Sequence, residues 1–142
     1  MISQAMYIWI DGAKPTKKMR CKKRILQLPK NGAELSDFPD WGFDGSSTYQ
    51  AEGNDSDLIL KPVSIFDDPI LGAGNYLVLC EVFITDDQPH PTNTRAKLRH
   101  LINSCQKEFD PYIGFEQEYT LFRKRTPLGW PDGGYPAPQG PF

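Results

Sequence analysis

Cysteine is scarce in this 142-residue chain. The three present, Cys21, Cys80 and Cys105, are odd in number and far apart. That argues against a disulfide framework and against Cys-x-x-Cys zinc or redox sites, and makes a reducing cytoplasm the expected location. Long apolar runs are absent too. None approaches the ~20 residues that cross a bilayer, so no membrane association is expected. The short apolar patch Tyr7–Ile10 stops at Asp11 and has neither a charged start nor a small-residue cleavage site. Neither a secretory leader nor an Arg-rich transit peptide is therefore expected. The sequence also lacks a Gly-x4-Gly-Lys-Ser/Thr phosphate loop, a Gly-x-Gly-x-x-Gly turn and a Gly-x-Ser-x-Gly elbow. Its two histidines, His90 and His100, do not have metal-ligand spacing. His90 lies between prolines and His100 falls on the polar side of a helical pattern, so structural roles are expected for both.

A composition 39% hydrophobic and 12% aromatic is enough to build a real core. The net charge of −2 conceals an asymmetry: residues 1–30 hold eight Lys/Arg against one acid, and residues 31–142 hold eight against seventeen. Most of the basic excess is Lys14, Lys17, Lys18, Arg20, Lys22, Lys23 and Arg24. Such a run can mark a nucleic-acid surface. No aromatic residues interleave with the charges, so a solvated loop followed by a polar-faced strand is the preferred reading, without nucleic acid as a partner.

Period-two patterning predicts strands at Met6–Ile10, Met19–Leu28, Leu58–Phe66 (interrupted by Pro62) and Tyr76–Thr85. The last is the most apolar stretch and is expected at the centre of the sheet. Residues 29–56, rich in Gly, Asp, Ser and Asn, read as loop. After residues 86–91 the period changes to 3.6. Leu98, Leu101, Ile102, Cys105 and Phe109 fall on one face of a helix predicted over 93–109, with Thr92 as N-cap. A strand is predicted at Tyr112–Arg123. From Thr126 to Phe142 nine of seventeen residues are Gly or Pro, so no element is expected to pack there alone and disorder is expected over 127–142. The organisation expected is α+β, with one domain at 1–88 and an incomplete second unit at 89–142, because a single helix and strand cannot bury their own apolar faces.

Two acidic constellations are candidates for chemistry. In a strand, Glu116 and Glu118 project from the same face with Cβ atoms roughly 6–7 Å apart. A hard divalent cation would relieve their repulsion, whereas two ordinary solvent-facing acids explain the same spacing. Asp44 stands in WGFDGSST (41–48), among small residues and beside Trp41 and Phe43. It is positioned either to bind a polar ligand or to close an Asx-type turn on its own loop amides. Asn54–Asp57 carries the same ambiguity and lacks the spacing of a calcium-binding EF-hand loop.

Six segments in one order resemble the glutamine synthetase family, specifically its eukaryotic-like type II branch. They are YIWIDG (7–12), MRCKKRIL (19–26), WGFDGSSTYQAEGNDSDLILKP (41–62), HPTNTRA (90–96), GFEQEYTL (114–121) and PLGWPDGGYPAPQGPF (127–142). The resemblance implies a β-grasp-like N-terminal domain followed by the first helix and strand of an antiparallel-sheet catalytic domain, here truncated. It implies a glutamate–ammonia ligase using ATP, L-glutamate and ammonia, with γ-glutamyl phosphate as intermediate. It further implies a homo-oligomeric ring with active sites between subunits. Glu116 and Glu118 match the family's first two ligands for Mg²⁺ or Mn²⁺. Asp44 matches the aspartate that binds and deprotonates ammonium, with Ser47 of the same loop in support and Asp57 shaping the ammonium side of the site.

Family members carry their ATP- and glutamate-binding residues beyond the position matching Phe142. The 142-residue polypeptide alone is accordingly expected to be inactive. The alternative reading is a non-catalytic β-grasp module that docks on a full-length synthetase. The resemblance gives no role to the basic cluster at 14–24.

Overall fold

The computed structural model describes residues 1–85 and 88–130. They fall into two compact units, residues 1–108 and, as far as it is described, 109–130. Among the described residues no helix is long and apolar enough to cross a membrane.

The first unit is a five-stranded sheet. Its strands are β1 (Ile2–Ile10), β2 (Met19–Gln27), β3 (Trp41–Asp44), β4 (Asp57–Asp67) and β5 (Tyr76–Phe83), in the order β2-β1-β5-β4-β3. Strand β5 lies at the centre, as its largely apolar run, interrupted only by Glu81, predicts. It pairs parallel with β1 and antiparallel with β4, and all other pairings are antiparallel. Strand β1 starts four residues earlier than the strand predicted at Met6–Ile10. Ser3 and Ala5 continue the inward alternation of Tyr7 and Trp9 but are too small or polar to register as hydrophobic.

Trp41–Asp44 was expected to be loop and is a strand. Gly42 and Asp44 break any apolar pattern, but pairing with Leu58, Ile59 and Leu60 and inward packing of Trp41 and Phe43 recover the segment. Pro62 does not interrupt β4, because β3 pairs only as far as Leu60 and the register slips between Pro62 and Ser64 in a bulge.

The core covers one face of the sheet. Ala5, Tyr7, Trp9, Leu58, Leu60, Val78, Cys80 and Val82 bury against Leu28 and Phe38 from the connection between β2 and β3. Three ring contacts order it: Tyr7–Trp41 at 5.3 Å, Trp9–Phe43 at 5.0 Å and Phe38–Tyr76 at 5.4 Å between centroids. Burial pushes the Cys80 thiol up to about 12, so it is a packing residue and not a nucleophile.

Helix α1 (Thr94–Phe109) is capped by Asn93, not Thr92. The Ala96 amide donates to Asn93 Oδ1 at 3.0 Å, the N3-to-cap bond, while Thr92 is engaged elsewhere. Arg95 and Arg99, one turn apart, straddle the buried Glu81 of β5 at 2.6 and 3.0 Å. Residues 89–108, expected with the second domain, thus group with the sheet. Leu98, Leu101 and Phe109 of the anticipated apolar face are exposed, as is His100, while His90 bonds through Nδ1 to the Thr92 hydroxyl at 2.9 Å.

In the second unit the strand predicted at Tyr112–Arg123 does not form. Residues 110–121 have no regular structure and are exposed. Strands β6 (Phe122–Arg123) and β7 (Thr126–Pro127) make a two-stranded ladder, and the Leu128 amide reaches Leu121 O at 2.7 Å. The alternation over 112–121 has no neighbouring strand to satisfy its backbone groups among the described residues, and a lone extended segment is not stable. Of the tail expected to be disordered, Pro127 closes this ladder and residues 128–130 turn away from it, with the Trp130 amide donating to Pro127 O at 3.1 Å, while residues 131–142 lie outside the described residues.

Candidate functional site

Asp44 closes β3 and faces Asp57, the first residue of β4, in direct register. The two carboxylates are exposed neighbours at one end of the sheet. Like charges directly opposed across a ladder repel, an arrangement that a bound cation relieves. Beyond Asp44 the chain turns through a 3-10 segment, Ser46–Thr48. The Ser46 amide donates to Asp44 Oδ1 at 2.8 Å, the Asx turn allowed for by the sequence. The Ser46 hydroxyl and amide, with the Ser56 hydroxyl, hold the Asp44 carboxyl below its ordinary pKa. Ser47 Oγ donates at 3.2 Å to the backbone carbonyl of Asp44, so it fixes the turn without engaging the carboxylate itself.

The loop is held from behind. Gly45 is buried, and a Cβ there would come within 2.4 Å of Leu58 Cδ1. The buried Thr48 donates to Gln50 Oε1 at 2.8 Å. Gln50 Nε2 reaches Ile10 O at 3.2 Å and Thr92 Oγ1 at 2.9 Å, tying the loop to the end of β1 and to the turn before α1. The Gly12 amide donates to Thr48 O at 2.9 Å, and a Cβ on Gly12 would lie 2.1 Å from Tyr49 O. Only glycine permits that approach.

Asp11, fully buried, organises the basic loop alongside. Its Oδ1 accepts from the Ala13 and Lys18 amides at 3.0 and 2.8 Å, and its Oδ2 from Arg20 Nε at 2.8 Å. Burial raises its pKa, but these bonds outweigh burial and hold it below the ordinary carboxylate value. Other members of the basic cluster also have structural partners. Lys17 Nζ donates to Thr92 O at 2.7 Å, and Lys22 Nζ donates to Gly42 O at 2.6 Å while lying 3.6 Å above the Trp41 ring.

Glu116 and Glu118 belong to the second unit and lie exposed in its irregular segment. The same-face geometry inferred from a strand is therefore not what this chain adopts. Their donor chemistry, two hard oxygen carboxylates, fits a divalent cation such as Mg²⁺ as part of a ligand set. No group of three such ligands occurs among the described residues.

The sequence puts Asp44 and Ser47 in one loop and Asp57 in a segment just downstream; the structure sets Asp57 opposite Asp44 in register and bonds Ser47 to the Asp44 backbone. The loop hydroxyls, Ser46 among them, are expected from the sequence to position Asp44; it gives no role to Ser56, which also holds Asp44, or to Gln50, which anchors the loop. A serine two residues after an aspartate is an Asx-turn signal and was legible. Gln50 gave no local signal, because its partners lie 40 and 42 residues away.

A mixed sheet with parallel β1 and β5 at its middle, bearing a carboxylate loop at one end, defines this unit as a β-grasp domain. A family model described as the glutamine synthetase beta-grasp domain matches residues 1–85. The chain is 54% identical over 97% of its length to the chloroplastic glutamine synthetase of Chlamydomonas reinhardtii, covering 38% of that protein. It is 51% identical over its whole length to the glutamine synthetase of Streptomyces viridochromogenes, covering 40%. It is 46% identical over 99% of its length to glutamine synthetase 2 cytoplasmic of Drosophila melanogaster, covering 37%. The chain belongs to the glutamine synthetase family, and it spans less than half the length of these relatives.

Proposed function

We propose that the chain supplies the ammonium-side loop and the first metal ligands of a glutamate–ammonia ligase of the eukaryotic-like type, working in the cytoplasm as a homo-oligomeric ring. The reaction is the ATP-dependent amidation of L-glutamate through γ-glutamyl phosphate. The observation that carries this reading is Asp44: an exposed carboxylate, kept ionised by the Ser46 and Ser56 hydroxyls, on a loop whose backbone is fixed from behind. Family membership and relatives named glutamine synthetase support it.

Ammonium has no free lone pair and cannot attack an acyl phosphate until it loses a proton. Asp44 and Asp57 form an anionic pair that attracts the cation. Asp44 then accepts the proton as nitrogen attacks. Its lowered pKa favours capture of the cation and makes proton acceptance dependent on concerted bond formation. Ser47 holds the Asp44 backbone in place. Glu116 and Glu118 would hold Mg²⁺ or Mn²⁺, which neutralises phosphate charge when bound. Residues 89–142 contribute the start of the catalytic domain. The 142-residue polypeptide by itself is expected to form no glutamine, since two carboxylates are only part of a metal site.

Asp44→Asn keeps the acceptor for the Ser46 amide and removes the base. In the native enzyme it is expected to lower kcat by about 10²–10⁴, with KM for glutamate and ATP little changed. Activity within about twofold of wild type would exclude Asp44 from proton transfer.

A further inference from the structure

The family reading leaves the basic cluster without a role. The structure accounts for part of it: Arg20 pairs with Asp11, Lys17 caps Thr92 O, Lys22 caps Gly42 O, and Arg24 sits 5.4 Å from the Trp41 ring centroid. Lys14 and Lys18 are left exposed, with no acidic partner among the described residues. Together with Arg20, Thr16 and Tyr49 they line one open concavity of about 750 Å³. Among the described residues no carboxylate lines it, and Asp11 behind the loop is buried and engaged by three donors, so the lining is net positive.

The aromatic wall is the second observation. Tyr49 has φ of 59°, a left-handed conformation that bulky side chains rarely adopt, and it is 70% exposed. The turn imposes this backbone: the amides of Gln50 and Ala51 both donate to Gly45 O, and the Tyr49 carbonyl is wedged against Gly12. Its ring enters none of the aromatic pairs among the described residues. A strained, rigidly presented and unstacked aromatic beside three cations is the pattern that recognises a π-system bearing phosphate.

We propose that this concavity is a binding site for an organic phosphate of the nucleoside-diphosphate class. Lys14, Lys18 and Arg20 receive the phosphates, Thr16 offers a hydroxyl, and Tyr49 stacks on the base. The loop is preorganised because Asp11 clamps Ala13, Lys18 and Arg20 before any ligand arrives. The site lies wholly within the first unit and involves neither Glu116 nor Glu118.

The test is a titration of the isotopically labelled 142-residue chain, without divalent metal, with ADP and separately with inorganic pyrophosphate, followed by amide NMR. Saturable shifts are expected at Gly12–Arg20 and Tyr49. ADP should bind about fivefold or more tighter than pyrophosphate, a ratio within the reach of one stacked base. Lys14→Ala/Lys18→Ala should weaken both ligands about tenfold or more, and raised salt should weaken both as well. Tyr49→Gly, which relieves the strained φ and preserves the fold, should remove the preference for ADP while pyrophosphate still binds. Persistence of binding in Glu116→Gln/Glu118→Gln separates this site from the metal reading. Absence of saturable shifts up to about 10 mM would overturn the proposal. So would shifts that ignore the lysine variant, or equal affinity for the two ligands, which would reduce the concavity to an inorganic-anion patch.

Discussion

Asp11 and Asp44 show how the same side chain is set to different tasks by its surroundings. Asp11 is buried and spends all its acceptor capacity on the loop that follows it. Asp44 is exposed and is held by its neighbours Ser46 and Ser56 with its carboxylate still open to solvent. Both have lowered pKa values, but only Asp11 has burial that turns the shift into a substantial effect on folding. A carboxyl whose folded pKa lies below its unfolded value of about 3.9 stabilises the fold above that pH. The contribution is lost as pH falls through the folded value. Asp11→Asn leaves amide donors facing an amide group and is expected to cost about 2 kcal/mol at pH 7. Urea unfolding at a series of pH values should show the gap between wild type and variant constant above about pH 5 and closing below about pH 4. A gap independent of pH would mean that Asp11 acts through shape and not through charge.

The elements differ in how openly the sequence declares them. Strand β5 is legible because both its faces are covered and nearly every residue is apolar. In β2 the usual orientation is reversed: Arg20, Lys22 and Arg24 take the half-buried side while Met19 and Ile25 are exposed. Alternation located that strand but could not say which face turns inward, since the inward side is held by cation–π contacts and carbonyl caps. Residues 112–121 alternate as a strand would, yet periodicity does not supply the neighbour that a strand requires.

Helix α1 is held to the sheet chiefly by charge at its N-terminal half. The carboxylate of Glu81 is inaccessible, whereas the Arg95 and Arg99 side chains are 38% and 47% exposed. Removing the two sides of this cluster should therefore have unequal effects. Glu81→Gln frees two arginines that can reach water and is expected to cost about 1 kcal/mol. Arg95→Ala/Arg99→Ala strands a buried carboxylate and is expected to cost about 3 kcal/mol. Chemical denaturation distinguishes the two, and equal losses would show that the helix docks by packing alone.

At the scale of the molecule, the sequence made four of the five strands, the central one among them, and the Asp44 loop legible, because each is written in a contiguous stretch, whereas β3 was not. The remainder depends on distant partners. Gln50 reaching Ile10 and Thr92, Glu81 meeting Arg95 and Arg99, and Gly12 fitting beneath Tyr49 all join separate segments, and no local pattern encodes them. The charge asymmetry was visible at once. Its division into structural cations and the exposed Lys14, Lys18 and Lys23, of which the first two share one concavity, required the fold.

The central claim is that this polypeptide works as part of a glutamate–ammonia ligase. It is tested most directly by capturing the native protein from its source cells with an antibody to residues 1–85 and assaying it for glutamine formation. The account predicts glutamine only when ATP, glutamate, ammonium and a divalent cation are all supplied, and its loss in Asp44→Asn. Captured protein that forms no glutamine under those conditions would contradict the account.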